Sequence, residues 1–90
     1  MIEKSYKIIN LTGLDAKNSS VLVSKCSKYS CNISLSCSEI TVNLKSIMGV
    51  MSLNVHKGEL VTLIFDGVDE VEADSAISYL MSEMKLAKEF

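Results

Sequence analysis

Seven stretches of this chain carry a readable pattern of apolar and polar positions. Lys4, Tyr6 and Ile8 alternate with Ser5, Lys7 and Ile9, the period of a strand, and Asn10 to Gly13 breaks it. From Ala16 the apolar positions Val21, Leu22, Val23 and Cys26 follow helical spacing, with an end expected at Tyr29-Ser30. Ile33, Leu35 and Cys37 alternate with Ser34 and Ser36, and Ile40, Val42 and Leu44 alternate with Thr41 and Asn43. Only Ser38-Glu39 separates these two strands, which predicts a tight antiparallel hairpin. A short helix is expected from Ile47 to Leu53, closed by Asn54, and a continuous apolar strand from Leu60 to Phe65, ended by Asp66-Gly67. Ala73, Ala76, Ile77, Leu80, Met81 and Met84 then form one helical stripe, with Asp69 and Glu72 spaced as a capping box at its start. The order is β-α-β-β-α-β-α. A four-stranded antiparallel sheet with three helices on one face buries these stripes, an α+β fold.

Ninety residues with 48% apolar and 22% charged side chains match one ordinary globular domain, expected to span residues 1–90. A net charge of −2, without a basic block, argues against nucleic acid as the main ligand. No apolar run has the length of a membrane span, and the first residues lack the apolar core of a secretion signal, so a cytoplasmic location is expected. Cys26, Cys31 and Cys37 have neither a Cys-x-x-Cys pair nor nearby histidines, so they read as reduced thiols and no metal or cofactor is expected. The one histidine, His56, precedes Lys57-Gly58 in an evident turn. No triad, phosphate-binding glycine loop or metal cluster supports an independent enzyme.

Ser46 stands immediately before the short helix, where its hydroxyl can cap the first turn and a phosphate would meet the helix's positive end. The run Leu44-Lys45-Ser46-Ile47-Met48-Gly49-Val50-Met51-Ser52-Leu53, with Gly13-Leu14 in the first loop and Asp66-Gly67-Val68-Asp69-Glu70 near the end, resembles HPr, the small phosphocarrier family of the bacterial sugar phosphotransferase system. The resemblance covers nearly the whole chain and implies the same open-faced β-sandwich. It fails at one place. The family has its phosphorylatable histidine followed by Ala-Arg-Pro where this chain has Asp15-Ala16-Lys17-Asn18.

Three departures in four residues point away from carrier chemistry. Asp15 is a weaker nucleophile than imidazole and puts negative charge where a phosphoryl group must arrive; Lys17 keeps a charge but not the guanidinium fork. Asp15 is also a strong helix cap, whose oxygens can accept from the N–H of Lys17 or Asn18. It reads either as a plain cap, as a permanent anion mimicking the phosphorylated carrier, or as an acyl-phosphate acceptor. At Ser46 the resemblance implies phosphorylation by the bifunctional HPr kinase/phosphorylase. The phosphoserine form would then act as corepressor for a LacI-type regulator, catabolite control protein A. Met48 and Met51, with Ile47 and Lys45, are expected to supply docking surface, because a two-turn helix on a sheet cannot bury all of its apolar side chains. Within the family the replaced histidine resembles the Crh (catabolite repression HPr) group, which usually retains the Arg and Pro missing here. The expectation is a regulator switched at Ser46. The alternatives are a divergent carrier loaded by Enzyme I at or near Asp15, or a decoy for Enzyme I or permease components.

Overall fold

Inward-facing apolar residues on every second strand position set the architecture. The computed structural model describes all residues from Met1 to Phe90. Its order is β1 (Ile2–Ile8), α1 (Ala16–Cys26), β2 (Asn32–Cys37), β3 (Ile40–Asn43), α2 (Ile47–Ser52), β4 (Leu60–Asp66), α3 (Glu70–Glu83) and β5 (Ala87–Glu89). The strands form one antiparallel sheet in the order β3-β2-β4-β1-β5, with the three helices on one face. Tyr6, Ile8, Ile33, Leu35, Cys37, Val61, Leu63 and Phe65 point into a single core with Leu22, Cys26, Val50, Ile77 and Met81 from the helices. The opposite sheet face carries Ser5, Ser36 and Thr62 in one register row. This is the α+β open-faced sandwich that the patterning predicts.

The sheet has five strands, not four. β5 pairs Ala87 to Glu89 with Ile8 to Tyr6. Three residues, two of them charged, carry no alternation to read. What directs them is the end of α3: Lys85 adopts φ +53°, and the Leu86 N–H returns to the Met81 carbonyl at 2.9 Å. This left-handed closure turns the chain back beside β1. The hairpin expected at Ser38-Glu39 is present, with both residues at positive φ, the handedness that matches strand twist.

Several boundaries and contacts differ from expectation. α1 ends at Cys26, three residues before Tyr29, and β3 ends at Asn43, although Leu44 is fully buried and its N–H still reaches the Ile33 carbonyl. The apolar run from Leu60 is buried only at alternate positions, because β4 has one wet face. Asp69 makes no cap bond to α3. Its two oxygens accept the Ser30 and Cys31 N–H groups at 2.8 Å each, and it is Glu70 that accepts the Gly67 N–H. Glu72 makes no return bond to the Asp69 N–H, so no capping box forms.

Candidate functional site

The loop between β1 and α1 is pressed against the segment that follows α2. Gly13 has φ +66°, and a Cβ there would collide with the Val55 carbonyl oxygen, so the close approach requires glycine. The Leu14 N–H donates to that carbonyl at 3.1 Å while the Leu14 side chain is buried. The side-chain amides of Asn10 and Asn18 donate to the Gly13 carbonyl at 2.9 and 3.1 Å, and the buried Ser19 hydroxyl donates to the Leu14 carbonyl.

Asp15 closes this loop as the N-cap of α1. Its Oδ1 accepts the Asn18 N–H and its Oδ2 accepts the Thr12 hydroxyl, both at 2.8 Å. The Asn18 amide, then the Thr12 hydroxyl, hold the carboxyl below the usual aspartate range. The backbone donor that opens α1 is therefore already occupied by an internal anion. Each accepted bond stabilises the carboxylate and lowers its nucleophilicity. Lys17 is exposed and belongs to neither of the two ion pairs of the structure.

Ser46 is the N-cap of α2, with extended backbone and its hydroxyl oxygen accepting the Gly49 N–H at 3.1 Å. Val50 is the fully buried residue of this helix. Met48 is 85% exposed, Ile47 43% and Met51 41%, where a two-turn helix on a sheet required at least one of the three to stay outside. Lys45 is placed differently. It is half-buried, and its ammonium donates to the Tyr29 carbonyl at 2.6 Å, tying α2 to the turn after α1. Sequence spacing did not reveal this contact, which joins residues 16 positions apart. Thr12, three residues before Asp15, was readable as a local partner and was missed.

No group of histidine, cysteine and acidic side chains is arranged for a metal. All three cysteines are free and buried, and His56 is exposed. The two surface hollows are lined by residues of α1 and α3 and by Tyr6 with β5, away from Asp15 and Ser46.

A protein-family profile described as "PTS HPr component phosphorylation site" matches residues 2–83. The chain belongs to the HPr family. Among solved structures it is similar to the histidine-containing phosphocarrier protein of a Mycoplasma, with 37% identity over 97% of this chain and 99% of that one and a TM-score of 0.93. It is also similar to HPr from Thermoanaerobacter tengcongensis, with 41% identity over 91% and 92% and a TM-score of 0.87. Crh of Bacillus subtilis shares 35% identity over 92% and 95%, with a TM-score of 0.72. This HPr-family chain thus has a histidine-containing phosphocarrier and a catabolite-repression protein among its structural neighbours, and carries aspartate at position 15 itself.

Proposed function

We propose that this chain is a regulatory HPr-like protein, one domain over residues 1–90, that works in the cytoplasm through Ser46 and not through histidine phosphotransfer. An HPr kinase/phosphorylase modifies Ser46. The modified protein then binds a LacI-type catabolite control regulator through Ile47, Met48 and Met51, with Enzyme I or permease components as further contacts. The observation that carries this reading is the carboxylate at position 15, whose oxygens already accept the Asn18 N–H of α1 and the Thr12 hydroxyl of the loop before it. A phosphoryl group arriving there meets a like charge, and the Asn18 N–H is already taken.

Ser46 is also an N-cap, accepting the Gly49 N–H, but it is neutral. Its hydroxyl stands at a surface helix beside exposed apolar side chains. In the proposed transfer the Ser46 oxygen forms the new P–O bond, the β–γ bridge of ATP breaks, ADP leaves and the hydroxyl proton passes to a base of the kinase. The resulting charge of about −1.5 to −2 gives a partner's Arg or Lys an anchor next to the apolar contact.

Two incubations test the reading: ATP with HPr kinase, and phosphoenolpyruvate with Enzyme I, each followed by mass-spectrometric location of phosphate. The expected result is phosphate on Ser46 in the first, lost in Ser46→Ala, and none in the second. Phosphate near residue 15 that moves on to a permease component would overturn it.

A further inference from the structure

We infer that Lys45 couples the charge state of Ser46 to the turn between α1 and β2: a phosphate on Ser46 draws the Lys45 ammonium off the Tyr29 carbonyl and loosens residues 28–31. The inference rests on the modification of Ser46 proposed above and adds how that modification is transmitted within the fold.

The turn after α1 is held from two sides. Asp69 takes the Ser30 and Cys31 N–H groups, and Lys45 takes the Tyr29 carbonyl. No other hydrogen bond to that carbonyl is present. Lys45 has no carboxylate partner, since the two ion pairs of the structure join the Met1 amine to Glu70 and Lys4 to Asp74. Its ammonium is thus bound to a neutral acceptor only.

Asn43 fixes the backbone on both sides of the switch. Its side chain accepts the Lys45 N–H at 2.9 Å and its carbonyl accepts the Ser46 N–H at 3.0 Å. Both backbone positions are anchored to Asn43, so a new anion on Ser46 stands next in sequence to a lysine whose long stem is the free variable. A bond from ammonium to phosphate joins two ions and is stronger than one to a neutral carbonyl. Lys45 therefore changes partner, and the turn keeps its Asp69 clasp and the local bonds from the Lys28 and Tyr29 N–H groups to the Lys25 and Cys26 carbonyls.

The test uses the full chain with phosphoserine placed genetically at position 46, the unmodified chain, and both again with Lys45→Met. Amide hydrogen exchange is followed residue by residue, with β4 amides as the control for folding. Phosphoserine is expected to speed exchange at Tyr29 to Cys31 by about tenfold, the factor that matches loss of one charge-assisted hydrogen bond. Lys45→Met should show the fast rate with or without phosphate, and Lys45→Arg, which keeps a cation, should restore the response. Unchanged exchange at 29–31 on phosphorylation, or an equal change in Lys45→Met, overturns the inference. Because the phosphate is installed directly, a kinase that ignores Ser46 would sink the proposed function without touching this result.

Discussion

The Asp15 carboxylate accepts the Asn18 N–H at 2.8 Å, a bond that a proline at position 18 has no hydrogen to make. The departures from the family pattern at 15 and 18 are therefore one arrangement, not two independent losses. Asn18→Pro should lower the melting temperature by a few degrees in the native chain. In an Asp15→Ala background the same change should cost clearly less, because the cap is already gone. A double-mutant cycle by thermal unfolding measures the coupling, and strict additivity would show that the two positions are independent.

Asp15, Asp69 and Glu70 are all held below their ordinary pKa: Asp15 chiefly by the Asn18 amide, Asp69 by the Ser30 amide, and Glu70 by the Met1 amine. A carboxyl whose folded pKa is depressed releases its proton more readily in the native state. Its stabilising share is complete above the unfolded value near ~4 and disappears as pH falls through the folded value. Stability should therefore decline as pH falls below about 4. Asp15→Asn, which keeps an oxygen for the Asn18 N–H, should leave stability at pH 7 close to native and flatten the acid slope. Urea unfolding across pH 2.5–6 reads both effects.

In α2 three positions should separate cap, core and surface. Ser46→Ala removes the acceptor for the Gly49 N–H and should cost about 0.5–2 kcal/mol. Val50→Ala empties a fully buried site and should cost roughly 2–3 kcal/mol. Met48→Ala should change stability by less than about 0.5 kcal/mol and instead weaken capture of the phosphorylated protein by the regulator. Equilibrium unfolding with a pull-down on the same three variants checks the ranking.

Burial pushes the Cys26 thiol up to about 12. It stays protonated and enclosed in the native state, so alkylation at pH 8 should proceed only through unfolding. A thiol whose folded pKa is raised contributes stability that is intact below the unfolded value near 9 and fades as pH rises toward the folded one. Labelling rates with and without sub-denaturing urea test this, and rapid modification of the folded protein at Cys26 would contradict it.

Asp69→Ala should lower the melting temperature more than Glu72→Ala does. The first frees two backbone donors of the α1–β2 turn, while the second removes an exposed carboxylate with no partner in the structure. A pair of thermal melts decides between this and a capping role for the two acids.

Short-range order in this protein is written into short-range spacing. The alternation of Ile33, Leu35 and Cys37, the stripe from Ala73 to Met81, and the caps at Asp15 and Ser46 each depend on partners within about four residues, so each can be read from the chain. β5, the Asp69 clasp and the Lys45 contact depend on residues that folding alone brings near. Asp69 meets Cys31 across 38 positions, Lys45 meets Tyr29 across 16, and β5 finds β1 only after α3 has turned the chain back. Polar partners at such separations leave no period behind, because one hydrogen bond needs one residue at each end. The apolar pattern thus determined which face of β2 and α3 turns inward, and packing chose the buried residues of α2 and β4 and which charged groups hold the turns between them.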